Sequence, residues 1–225
     1  MEILGTLASI WRYPVKSLAA VPLDSTRVDI DGLPGDRAGA LYVTSEHART
    51  GKPYRGKESD RLHLTSDVAQ AARYAAEANV RVEYRGEPNG HVFDDAPVSL
   101  IVDRWIDEVS AHVGSALDPR RWRPNFYVRA AKGFAWSEPE LLGAILELGE
   151  VRLRVSSTIG RCVTTTYDVE TGAHEDEVLR YVARHRGNVM GAYCEVELAG
   201  TVRVGDALRL RARPTSRTIA SSSSM

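Results

Sequence analysis

Apolar and polar residues alternate through much of this chain, and a period of two is the mark of a half-buried strand. Residues 3–11, 25–30 and 38–43 are short apolar or β-favouring runs, punctuated by Pro14, Pro22 and Gly32-Leu33-Pro34-Gly35, and they predict strands. Residues 50–57 are polar and glycine-rich and predict a loop. Residues 66–78 are alanine-rich and predict a helix with Ser66 as N-cap. A strand is expected over 80–84, then a turn-dense break at 85–90. Beyond the break the period changes. Val102, Ile106, Val109 and Val113 follow helical spacing, with Asp103 near the start. Residues 126–128 and 151–155 predict strands. Residues 174–186 predict another helix, because its acidic start and basic end complement the helix dipole and Gly187 suits its C-terminal cap. Cys194, Val196 and Leu198 share one face of a further strand. Two short strands, 202–204 and 208–210, flank a Gly205-Asp206 turn.

Composition narrows the class without naming a function. The chain has 225 residues, 43% of them hydrophobic and 26% charged, as a globular protein with a real core requires. The net charge of -1 gives no global attraction to nucleic acid or to anionic membrane, so neither is an expected partner. Two cysteines are too few for a four-thiolate iron–sulfur or zinc site. The first apolar stretch is cut by Arg12 and Lys16, unlike a secretory signal, and no segment approaches the length of a membrane span. The expected location is the reducing cytoplasm. The serine-rich end, residues 213–225, reads as a disordered tail.

Chemistry concentrates in one string, Gly160-Arg161-Cys162-Val163-Thr164-Thr165-Thr166-Tyr167-Asp168, placed where a strand gives way to a loop. A thiolate binds soft metals and attacks sulfur or carbon, and the adjacent guanidinium favours it. A buried free cysteine is equally a small hydrophobe. Three more segments set cations beside turns: Tyr13-Pro14-Val15-Lys16-Ser17, Gly35-Asp36-Arg37, and Arg120-Arg121-Trp122-Arg123-Pro124-Asn125. Arginine forks match phosphate oxygens and lysine supplies a point charge. Each segment alone is also an ordinary solvated surface. Cys194 reads as core. His63, His91 and His185 lack metal-ligand spacing and take no role, and Trp122 and Trp136 read as packing.

Taken in order, these motifs, with Asp-Ala-Pro-Val-Ser-Leu at 95–100 and Thr-Val-Arg-Val-Gly-Asp at 201–206, resemble the MOSC superfamily, named for the C-terminal domain of molybdenum-cofactor sulfurase. The resemblance spans residues 1 to about 212. It implies a mixed α/β, strand-rich fold: a small N-terminal β-barrel-like domain (1–87) packed on a MOSC domain (88–212) with a strongly bent, barrel-like sheet. By resemblance to relatives such as the mitochondrial amidoxime-reducing component, Cys162 is the ligand of molybdenum, and Lys16, Ser17, Arg37, Arg123 and Asn125 hold the pterin and its phosphate. Arg161 adds to the same positive pocket. Asp168 matches an acidic position and is a catalytic candidate, although residues 167–172 also compose a turn. The chain departs from reductase-type relatives at Gly160, where a hydroxyl residue is common, at Asp95-Ala96, and through 50–57 and 61–64. Lys52, Arg55 and Lys57 are loop cations that would compensate.

The resemblance implies a molybdenum-cofactor oxidoreductase acting on a small N-oxygenated molecule. No flavin, nicotinamide, haem or iron–sulfur fingerprint is present in the sequence, so separate electron-donor proteins would have to dock. Two other readings share the same residues: a sulfur carrier or sulfur-transfer enzyme using Cys162 without molybdenum, and a cofactor-delivery protein without turnover. A monomer is expected.

Overall fold

The computed structural model describes residues 1–86, 92 and 95–213. The strands are β1 (Glu2–Arg12), β2 (Val21–Leu23), β3 (Ser25–Val28), β4 (Gly39–Val43), β5 (Val82–Gly86), β6 (Val98–Val102), β7 (Phe126–Ala130), β8 (Ile145–Leu148), β9 (Val151–Gly160), β10 (Val189–Leu198), β11 (Gly200–Arg203) and β12 (Ala207–Ala212). The helices are α1 (Val68–Glu77), α2 (Asp103–Val113) and α3 (Asp176–His185), with short 3-10 turns between elements.

The large sheet runs β12-β8-β9-β10-β6-β7-β1-β2, and β12 also pairs with β1. That pairing closes seven strands into a barrel, and β2 hangs from β1 outside it. Every neighbouring pair is antiparallel except β6 with β7. Alternation explains which side chains fill the interior. On β9, Val151, Leu153 and Val155 are buried while Arg152 and Arg154 between them are not. Leu4, Leu7 and Ile10 do the same on β1 and Leu208 and Leu210 on β12. The same core takes in Trp105, Ile106 and Val109 of α2, which packs on β6, a strand buried at every position, and Val178 and Val182 of α3, which packs on β10.

The fold is the strand-rich, mixed α/β fold expected, with one difference. The first 86 residues close no barrel of their own among the described residues. They give β1 to the large one and set β3 beside β11. What remains is the β4–β5 ladder, which shares with α1 a small core containing Val15, Leu18, Leu41, Tyr54, Leu62, Ala71 and Ala75. β1 pairs on both sides because its apolar stripe is long enough to serve as a stave. The expected break at 85–90 lies mostly outside the described residues, as does all of the expected tail except Arg213. α1 begins one residue later than expected. Its N-cap is Asp67, whose carboxylate accepts the Gln70 N–H at 2.6 Å, and not Ser66.

Candidate active site

A cavity of about 490 Å³ opens between the end of β9, the turns after β1 and before β7, and the loop at 54–64. Eight cations line it: Lys16, Arg37, Arg55, Lys57, Arg120, Arg121, Arg123 and Arg161. Among the described residues no carboxylate does.

The cations are held by carboxylates and carbonyls set behind the wall. Asp36 is buried, accepts the Tyr13 N–H at 2.6 Å and pairs with Arg37. Arg37 also donates to the Arg123 carbonyl at 3.1 Å. The guanidiniums of Arg37 and Arg123 lie 4.8 and 4.3 Å from the Tyr13 ring centroid, within cation–π range. Burial pushes the Tyr13 phenol up to about 12, against the pull of Arg123 and Arg37, so it stays a neutral donor. Arg121 is buried and spans to the Thr166 carbonyl (3.0 Å), Asp168 (3.1 Å) and Glu175 (3.0 Å). Arg55 pairs with Glu58, and Arg120 with Asp118.

Three wall residues stand in left-handed backbone: Ser17 (φ 72°), Arg37 (φ 47°) and Arg123 (φ 54°). Each such non-glycine residue costs about 1–2 kcal/mol, which surrounding contacts must offset. Ser17 Oγ accepts the Gly56 N–H at 2.9 Å, drawing the cationic loop over the site. The approach is close, because a Cβ on Gly56 would meet the Thr164 methyl at 3.2 Å.

Cys162 lies two residues past the end of β9, is exposed, and leads into the 3-10 turn Val163–Thr166. Its Sγ lies 3.3 Å from the Thr164 hydroxyl. Arg161 fixes this corner through carbonyls: Nε donates to Met190 at 2.7 Å and Nη1 to Trp122 at 2.8 Å. Burial pushes its guanidinium down to about 10. Cys194 is buried in β10, and burial raises its thiol to about 12, so the two cysteines have unlike chemistry.

A MOSC domain model matches residues 87–209, more than half of the chain. This chain belongs to the MOSC family. Over 125 residues the MOSC chain is 26% identical to mitochondrial amidoxime-reducing component 1 of Danio rerio, a match covering 50% of this chain and 36% of that relative. It thus spans about a third of the relative's length. Its fold resembles that of the YuaD protein from Bacillus subtilis, with a TM-score of 0.54, 15% identity, and coverage of 91% of this chain and 93% of that one. That likeness concerns fold alone.

Of the site residues expected from sequence, the MOSC chain brings Lys16, Ser17, Arg37, Arg123, Arg161 and Cys162 onto one wall. Asn125 and Asp168 are not on it. Asn125 is buried at the start of β7, where Oδ1 accepts from the Ser99 N–H (3.0 Å) and hydroxyl (2.9 Å) and Nδ2 donates to the Trp11 carbonyl (3.2 Å). Its amide joins β1, β6 and β7, is buried, and does not line the cavity. Asp168 organises its own turn: Oδ1 accepts from the N–H groups of Glu170 and Thr171 and the Thr171 hydroxyl. Burial works to raise its pKa, but the Thr171 hydrogen bonds prevail and hold it below the usual carboxylate range. Of the loop cations, Arg55 and Lys57 reach the cavity and Lys52 does not. Asp95 is tied to the Ser157 hydroxyl at 2.7 Å and adds no charge to the wall. Sequence reasoning assigned no role to Tyr13, His63 or Tyr167, all of which line the cavity.

Proposed function

We propose that this MOSC protein binds the molybdenum cofactor in the cationic cavity, with Cys162 as thiolate ligand of the metal, and reduces a small N-oxygenated molecule such as an amidoxime or N-hydroxylated base. The observation that carries this reading is eight cationic side chains on one wall beside an exposed thiol, in a chain whose net charge is -1. Such a wall selects a multiply charged anion, and a thiolate suits a soft metal.

The residues present fit that group. Tyr13 and Trp122 line the cavity, and the Tyr13 hydroxyl and Trp122 indole N–H are buried without a hydrogen-bond partner. A buried donor left unpaired costs about 1–3 kcal/mol, which a polar heterocycle would recover. Among the described residues no cluster of His, Cys, Asp or Glu completes a metal site. A metal at Cys162 would therefore bring its other ligands with it, as a pterin dithiolate does. When bound, the cofactor would relay two electrons to the N–O bond of the substrate. Lys16, Arg37 and Arg123 neutralise the phosphate, the Thr164 hydroxyl donates to the Cys162 thiolate, and Arg161 keeps Cys162 at the wall by anchoring the β9 end. Electrons come from a separate donor protein.

The test is wild type against Cys162→Ala, produced in a host that makes the cofactor, with molybdenum measured by mass spectrometry, pterin by fluorescence, and turnover of an N-hydroxylated base with a chemical reductant. Near-stoichiometric molybdenum and pterin are expected in wild type, with turnover, and both molybdenum and turnover lost in the variant. Wild type holding neither species overturns the proposal. A metal-free protein carrying one added sulfur on Cys162 would move the chemistry to sulfur transfer.

A further inference from the structure

Reducing an N-hydroxylated base consumes protons. R–NH–OH with two electrons and two protons gives R–NH2 and water: the N–O bond breaks and the oxygen must leave protonated. The cavity wall offers little that can supply a proton. Arginine and lysine hold theirs too tightly near neutral pH. Tyr13 and Tyr167 are both pushed up by burial. No carboxylate lines the wall among the described residues. His63 does line it, from the 3-10 turn Leu62–Leu64.

Geometry fixes the His63 ring. Its Nε2 lies 2.9 Å from the Asp168 backbone carbonyl, which can only accept, so Nε2 carries the hydrogen. The ring lies on Tyr167 with centroids 5.4 Å apart and planes at 19°. In the neutral ring, Nδ1 is therefore the unprotonated nitrogen. Burial holds the imidazole below its ordinary value of 6.5, Arg123 acts in the same sense, and the Asp168 carbonyl bond and the charges of Asp60 and Asp168 oppose it. The protonated ring is consequently a stronger acid than free imidazolium. The carboxylate of Asp168 is engaged in its own turn, so this contact gives the residue a positioning role.

We propose that His63 is the proton donor to the departing oxygen. Nδ1 takes a proton from solvent and passes it to the oxygen as the N–O bond breaks. The second proton reaches nitrogen from water, and the two electrons come from the external donor protein by way of the cofactor. This inference rests on the reductase reading above.

His63→Gln retains a donor for the Asp168 carbonyl and removes the titrating nitrogen. Three quantities are measured: the histidine tautomer by nitrogen-15 NMR on cofactor-free wild type, molybdenum content of both proteins, and the pH profile of turnover on an N-hydroxylated base. Expected are an Nε2–H tautomer, equal molybdenum, a turnover about 10²-fold lower in the variant, and loss of the alkaline limb seen in wild type. Should the variant lose molybdenum, His63→Ala is assayed with added imidazole, where recovery of turnover supports the role and its absence overturns it. An Nδ1–H tautomer, or a variant with the wild-type rate and profile, overturns the role and leaves the reductase reading standing. Molybdenum-loaded wild type without turnover removes the reductase reading, and this one with it.

Discussion

Asn125 shows how burial decides what a polar residue does. Its side chain makes three hydrogen bonds inside the barrel wall, to Ser99 and to the Trp11 carbonyl. Removing it strands the Ser99 N–H and takes the amide donor from the Trp11 carbonyl, while the Ser99 hydroxyl still accepts the backbone N–H of position 125 at 3.0 Å; a buried group left unpaired costs about 1–3 kcal/mol. Asn125→Ala should lower unfolding free energy by about 3 kcal/mol in urea titration, with phosphate affinity of the folded protein unchanged. Lost affinity at unchanged stability would return Asn125 to the ligand. The same distinction marks what the sequence reveals at this scale. Cys162, Lys16, Arg37 and Arg123 are legible because each falls in a short motif beside a turn or strand end. Asn125 and Asp168 are not, because a carbonyl or carboxylate that serves a backbone looks identical in sequence to one that serves a ligand. His63 is overlooked for the converse reason: its partner is a backbone carbonyl 105 residues away, which no local spacing reveals.

Elements are legible where their own pattern suffices. Long alternating strands such as β1 and β9, and the helices α2 and α3, follow from period and charge. β6 is missed because a strand buried on both faces does not alternate, and its end merges into the Val102–Val113 helical pattern. Closure of the barrel by β12 with β1 is a pairing between chain ends and leaves no local mark. Between elements the structure uses a buried charge. Glu138 is 2% exposed, pairs with Arg186 of the α3 cap at 2.7 Å, and accepts the Gly191 N–H of β10 at 3.1 Å. Glu138→Ala leaves the Arg186 guanidinium largely buried with only the half-exposed Glu108 as a partner. A loss of about 3–5 kcal/mol is expected. Because Gly191 neighbours Met190, whose carbonyl holds Arg161, the variant should also lower molybdenum occupancy. Calorimetry and metal analysis on one preparation check both, and intact occupancy in a destabilised variant would separate the two corners.

For the molecule as a whole, folding gathers cations that the net charge conceals. Eight converge on one cavity in a chain of net charge -1, and although four of them are paired with carboxylates behind the wall, the cavity face itself presents cations to an anion. Inorganic phosphate binding only the folded state, at 100 times its dissociation constant, would stabilise by about 2.7 kcal/mol. For a chain of this size that raises Tm by about 5–10 °C. Two charge reversals decide whether the cavity is responsible. Lys57 lines it and Lys52 does not; both are exposed, and Lys57→Glu and Lys52→Glu lower the net charge equally. At fixed ionic strength, set with chloride to hold screening constant, the phosphate-induced rise in Tm should shrink for Lys57→Glu and persist for Lys52→Glu. Equal losses would tie the effect to net charge, and the cationic wall would then lack the selectivity for a phosphate that the cofactor reading requires.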